Sequence, residues 1–284
     1  MKYYIVDAFT SEPFGGNPAG VVLLDSGFPS DKLMQQVAAE LRYSETAFVQ
    51  RNGPSEFTVR YFTPAGEVDL CGHATIGTFG LMRSLGIIAD GELCMNHTLA
   101  GDLKVKAGEQ VMMQMASPAV VEAQLELERL HRIMGGETGQ SWPEMPVEIV
   151  STGLPDIIMP VASQEALNAL RPDMAALAAY SIELDVVGVH AFALSDDGYT
   201  AHVRNFGPRY DIPEESATGT ANAALTHYLQ RRKLVTAGDS CRFLQGEAMG
   251  RPSVVATTLS IDGDIWVGGN SYILAKGDLL VSFC

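Results

Sequence analysis

A chain that contains its own fold twice has few architectures open to it, and this 284-residue sequence does. The segment "ETAFVQRNGPSEFTVRYFTPAGEVDLCGHAT" is answered, in the same order, by "VHAFALSDDGYTAHVRNFGPRYDIPEESATGTAN". Ala47-Phe48 aligns with Ala191-Phe192, which sets Glu45 against Val189. Val59-Arg60-x-Phe62-x-Pro64 aligns with Val203-Arg204-x-Phe206-x-Pro208. After a short insertion, Glu67-x-x-x-Cys71-Gly72-x-Ala74 aligns with Glu214-x-x-x-Thr218-Gly219-x-Ala221, and upstream Gly16-Asn17-Pro18 answers Gly153-Leu154-Pro155. Such collinear matches imply two similar halves, expected at 1–116 and 117–271, with the last strand, 272–284, able to rejoin the first half. The polar stretch between Ser117 and Glu148, including "GGETGQ", is the expected crossing.

The local pattern supplies the architecture of each half. "KYYIVDAF", "AGVVLL", "FTVRYF", "VEIVSTG", "HAFAL" and "YTAHVRNF" read as strands from their β-branched and aromatic content. "PSDKLMQQVAAELR" reads as a helix capped by Ser30 with Leu33, Val37 and Leu41 on one face. "SQEALNALRPDMAALAAY" is a helical region that Pro172 interrupts. "CGHATIGTFGLMRSLG" and "TGTANAALTHYLQRRK" begin at glycine and continue apolar or small nearly all round, as a helix wrapped by sheet must. The fold class is therefore α/β (α+β): two pseudo-symmetric halves, each a curved, mostly antiparallel sheet around a central helix.

A glycine at a helix start lets a ligand approach backbone N–H groups, and the positive end of the helix dipole favours an anion there. Gly72 and Gly219 fit that role and also fit a purely steric need for tight helix entrances; their occurrence at equivalent positions favours a site that holds a carboxylate. The global charge excludes other partners. Nineteen basic against 34 acidic residues give −15, which repels nucleic acid and anionic membranes. No stretch of twenty apolar residues and no signal-like start appear, so a cytoplasmic location is expected. Cys71, Cys94, Cys241 and Cys284 lack C-x-x-C spacing, arguing against disulfides and structural zinc. No metal cluster, P-loop or dinucleotide fingerprint is present, so no cofactor and no metal are expected.

"DAFTSEPFGGNPAGVV", "SETAFV", "YFTPAGEVDLCGHATIGT", "EESATGTANAALTHYL" and "QGEAMGRPS" resemble the phenazine-biosynthesis PhzF family in order and across nearly the whole chain. The resemblance implies the diaminopimelate-epimerase-like fold, a cofactor-free active site between the halves, a homodimer, and proton transfer by one glutamate. On the matching positions it implies Glu45 as acid/base, with His73 and Glu215 supporting the proton-transfer geometry. Gly72, Gly219 and Thr220 fall at substrate-binding positions, with Asn17 in "GGNPAG" and Cys71 beside them. Better studied members carry aspartate then proline where this chain reads Glu215-Ser216, which points to a different substrate. Burial is expected to raise the Glu45 pKa.

Cys71 separates the competing readings. Epimerases and racemases of that fold use two facing cysteines, whereas the repeat sets Thr218 against Cys71, and a threonine hydroxyl is too weakly acidic to be the partner. An isomerase moving a proton within a small carboxylate-bearing metabolite is therefore preferred. A same-fold epimerase and a non-catalytic metabolite-binding or interaction module are the alternatives. "VMMQM" reads as a packed strand, "QLELERLHR" as a surface helix, and Arg251 as structural; "QGEAMGRPS" has no evident mechanism beyond a Gly-Pro-bounded loop.

Overall fold

A computed structural model describes residues 1–135 and 145–281; most of "GGETGQ" and Cys284 lie outside the described residues. The chain divides into two compact units, Met1–Gln114 with Gly268–Cys284, and Met115–Val267. Among the described residues no helix is long and apolar enough to cross a membrane.

The first unit's sheet runs through Val111–Gln114, Gly101–Ala107, Glu92–Thr98, Glu56–Phe62, Thr46–Arg51, Asn17–Leu23, Lys2–Ala8 and Ser271–Asp278. Its parallel contacts are those joining Asn17–Leu23 to Thr46–Arg51 and Glu56–Phe62 to Glu92–Thr98. The second unit runs through Ala119–Val121, Glu148–Ser151, Pro155–Pro160, Val189–Leu194, Ala201–Gly207, Ser240–Gln245 and Ser253–Leu259. Its parallel contacts fall at the same two places, Pro155–Pro160 with Val189–Leu194 and Ala201–Gly207 with Ser240–Gln245. Parallel neighbours need a crossover, and helices supply it in both units.

Each unit wraps its sheet around one 13-residue helix, Gly72–Ser84 in the first and Gly219–Arg231 in the second. Every residue from His73 to Met82 is buried, which explains the small and apolar composition all round. Such a helix cannot use its own surface polarity to fix its rotation. Buried hydroxyls do this instead: Tyr61 Oη lies 2.6 Å from Thr75 Oγ1, and Asn96 donates to Tyr61 Oη at 3.0 Å. In the second unit Thr226 Oγ1 meets Thr257 Oγ1 at 2.6 Å.

The outer faces follow the sequence closely. Ser30 caps Asp31–Leu41 by accepting from the Leu33 N–H, a contact worth ~1 kcal/mol. Its most buried face is Met34, Val37 and Ala38, with Leu33 and Leu41 flanking it, because Val22, Phe48 and Phe62 of the sheet lie beneath. Pro172 divides the matching region into Gln164–Ala169 and Met174–Glu183, capped by Ser163 and Asp173. "QLELERLHR" does form a helix, Leu127–Met134, but Leu130, Ile133 and Met134 sink into the core.

One bidentate ion pair is built twice. Arg60 donates through Nε and Nη2 to Glu67, at 2.6 Å each, and Arg204 donates likewise to Glu214 at 2.8 Å. Arg60 also reaches Asp31 in the outer helix, while Arg204 donates to the Leu167 and Leu170 carbonyls at the end of Gln164–Ala169. In both units this arginine ties an outer helix to the strand preceding the central helix.

The strand register corrects one part of the repeat alignment. Phe62 pairs with Thr46 and Phe206 pairs with Val189, so Thr46 corresponds to Val189 and Glu45 to Gly188. The backbone agrees: the Glu45 carbonyl accepts from Gly20 N–H and the Gly188 carbonyl from Ile157 N–H, both at 3.0 Å. Matching Ala47-Phe48 to Ala191-Phe192 was therefore one residue out. A Cβ at Gly188 would stand 1.8 Å from the Phe206 carbonyl oxygen, so backbone fills the place that Glu45 occupies in the first unit.

Candidate active site

Glu45 precedes strand Thr46–Arg51, and Cys71 and His73 flank Gly72 at the start of the central helix. The strand order brings these ends together although 26 residues separate Glu45 from Cys71. Glu45 Oε2 lies 3.2 Å from His73 Nε2, with side-chain exposures of 14% and 5%. Ser44 Oγ lies 3.3 Å from the same nitrogen, and Cys71 Sγ lies 3.4 Å from His73 Nδ1. Asn17 is buried at the start of its strand, opposite Ala8. Sequence analysis did not single out Ser44, although it adjoins Glu45.

The electrostatics of this cluster overturn one expectation. Burial raises the Glu45 pKa, but the His73 partner outweighs it and holds the carboxyl below its ordinary value. Burial likewise works against charging His73, yet the Cys71 sulfur and the Glu45 carboxylate more than offset it, and the imidazole pKa is raised. Burial, then the Glu45 charge, push the Cys71 thiol up to about 11. The thiol is thus neutral near pH 7, which leaves Glu45 as the partner that charges His73. The resting pair is carboxylate and imidazolium, a base beside an acid.

The second unit holds the other sequence-derived residues. Glu215 ends strand Ile212–Glu215, Thr218 occupies the N-cap position of the central helix, and Gly219 and Thr220 open that helix. Thr218 Oγ1 donates to the Glu215 carboxylate, and the Thr220 carbonyl accepts from Thr152. Neither Cys71 nor Thr218 supplies a side-chain cap.

A directed chain of hydrogen bonds supports the Glu215 turn. Asn205 donates to His190 Nδ1, and His190 Nε2 donates to Asn222 Oδ1, each at 3.2 Å. Asn222 Nδ2 donates to Gln245 Oε1 at 2.9 Å, and Gln245 Nε2 donates to the Glu215 carbonyl at 2.8 Å and Thr218 Oγ1 at 3.1 Å. His190 is neutral, because burial takes its pKa down to about 4. At the far end Asp156, 1% exposed, is raised to about 7 by burial and then by the Glu215 charge.

A profile of the PhzC-PhzF family, described as phenazine biosynthesis-like protein, matches residues 6–277. The chain belongs to the PhzF family. It is similar to an uncharacterised isomerase of Clostridium acetobutylicum, 31% identical with 98% of each chain covered. The trans-2,3-dihydro-3-hydroxyanthranilate isomerase of Pseudomonas chlororaphis is 30% identical over 98% of this chain and 99% of that one. The crystal structure of a PhzF-family protein from Bacillus anthracis superposes with a TM-score of 0.89 at 26% identity, covering 99% of both chains.

The PhzF-like "QGEAMGRPS" stretch now has a mechanism. Besides its donor contacts, Gln245 accepts from Thr218 N–H, so one side chain clamps both ends of the Glu215–Thr218 turn. Gly246 has φ +81°, and a Cβ there would stand 2.3 Å from the Arg251 carbonyl oxygen and 2.7 Å from that of Ser216. Glu247 in turn contacts buried His202 at 2.6 Å. Gly246→Ala is expected to cost about 2–3 kcal/mol of stability through strain at that φ and the two carbonyl contacts. A urea midpoint equal to wild type would refute this assignment.

Proposed function

We propose that this PhzF-family protein is a cofactor-independent isomerase that moves a proton within a small, carboxylate-bearing, unsaturated metabolite. The observation that carries the proposal is the buried pair of Glu45 and His73 at 3.2 Å, a carboxyl held below its ordinary pKa beside an imidazole held above its own. Glu45 removes a proton from a substrate carbon, forming a carboxylic acid as the electron pair moves into the conjugated system. The same carboxyl then returns the proton to a different carbon, so no oxidant or added group is consumed. His73 stabilises the charge that develops, and Glu215, fixed by Thr218 and Gln245, positions the substrate. Gly72 and Gly219 give a substrate carboxylate access to helix N-termini, with Thr220, Asn17 and Cys71 alongside.

The activity named for the Pseudomonas chlororaphis relative is of this kind. Glu215 argues for a related substrate rather than the identical one, because its longer side chain is hooked back onto the Thr218 hydroxyl. Cys71 is a poor second base while its thiol stays protonated to about pH 11. Turnover of trans-2,3-dihydro-3-hydroxyanthranilate and related cyclic unsaturated carboxylates in deuterated water, followed by NMR, tests the reading. The expected product has a shifted double bond, with deuterium at the receiving carbon only to the extent that the Glu45 carboxylic acid exchanges with solvent before it returns its proton. Inversion of a labelled centre without a bond shift would establish an epimerase instead.

A further inference from the structure

Among the described residues, Glu45, Cys71 and His73 form a cluster whose ligand atoms all lie within 4.8 Å of one another. We propose that this cluster is a binding site for a thiolate-preferring divalent transition metal, with zinc as the representative ion, and that the metal silences the acid/base pair when it binds.

Distances support a single ion. Zinc bonds of ~2.0 Å to nitrogen and oxygen and ~2.3 Å to sulfur place neighbouring tetrahedral ligands roughly 3.3–3.6 Å apart. His73 Nε2 stands 3.2 Å from Glu45 Oε2 and 3.8 Å from Cys71 Sγ, and all three ligand atoms lie within 4.8 Å of one another, so side-chain movements of about an ångström bring them onto one ion. Glu45 Oε2 is buried 3.2 Å from His73 Nε2 without a well-aligned hydrogen bond between them, and a cation would be shared by these two atoms. The three ligand types are those of zinc sites, and a thiolate selects against magnesium and calcium. With three protein ligands the fourth position stays open to water or a substrate carboxylate.

The bound ion would occupy the Glu45 lone pair that takes the substrate proton and the His73 nitrogen facing it. The metal is therefore an inhibitor, and the metal-free cluster is the active form. Cys94 and Cys241 are buried too, but no such cluster forms around either among the described residues.

The site shares residues with the acid/base reading, so the test uses a signal that needs no turnover. Reduced, chelator-treated protein is titrated with cobalt(II). The expected result is a thiolate-to-cobalt charge-transfer band and tetrahedral d–d bands that saturate at one ion per chain, disappear on zinc addition, and survive in Cys94→Ala. Cys71→Ala should lose the charge-transfer band. Glu45→Gln, which keeps the thiol, should weaken cobalt binding by more than about tenfold. No band in the wild type, a band that persists in Cys71→Ala, or unchanged affinity in Glu45→Gln would overturn the proposal.

Discussion

Replacing Glu45 by glutamine is expected to lower turnover by about 10³-fold, at the upper part of the range for one general acid/base group, without unfolding the protein. Glutamine has nearly the same shape and keeps an amide oxygen as an acceptor toward His73 and Ser44. It cannot take up a proton, and it leaves His73 without the charge that raises its pKa. The expected stability change is within ~1 kcal/mol, because removing a half-paired buried carboxylate offsets the lost ion pair. Residual activity within tenfold of wild type, with an unchanged melting temperature, would refute the acid/base assignment. The pH profile gives a second readout. Glu45 is held below its ordinary 4.5 and His73 above its ordinary 6.5, so kcat/KM should form a plateau spanning both values, with limbs outside them.

The internal repeat makes the fold legible in the sequence. Arg60 and Arg204 recur because each unit needs the same fork to join strand, outer helix and following turn, and Phe62 and Phe206 recur because both share a core cluster with those helices. The alignment slipped by one residue at Ala47-Phe48 for a physical reason: strand identity matches are weak evidence of register, which hydrogen bonding sets. The corrected partner, Gly188, says more than Val189 did. A glycine pressed against the Phe206 carbonyl leaves no room for a side chain, so the second unit has closed the position where the first places its base.

The candidate site was legible in its residues but not in its charges. Glu45, Cys71 and His73 could be named one at a time, yet the partner that reverses the expected Glu45 shift is 28 residues away in sequence. Gln245 was visible only as part of an unexplained stretch, because its role is to satisfy backbone groups of a turn that sequence spacing cannot place beside it. Asp156 has a trace in the repeat. It lies within "PDIIMP", and registering the repeat on Pro18 and Pro155 sets it against Ala19.

Asp156→Asn should therefore change the pH dependence of stability. The native carboxyl titrates at about 7 rather than its ordinary 3.8, so between these values the folded protein holds a proton that the unfolded chain has released. Wild-type stability consequently falls as pH rises through this window, by ~4 kcal/mol once both states are ionised. Below the unfolded value, where the carboxyl is protonated in both states, the contribution vanishes. Asparagine carries no charge at any pH, retains the size of the side chain and still offers Asn205 a polar partner. The variant should match the wild type near pH 4 and exceed it at pH 8, read as diverging urea midpoints. Parallel pH curves for the two proteins would show that the buried carboxyl does not carry this penalty. If they diverge, the second unit keeps an acid that weakens the fold at neutral pH, behind the turn that presents Glu215 and in the place where its sister has alanine. A destabilising local choice of that size is expected where function, rather than packing, selects the residue.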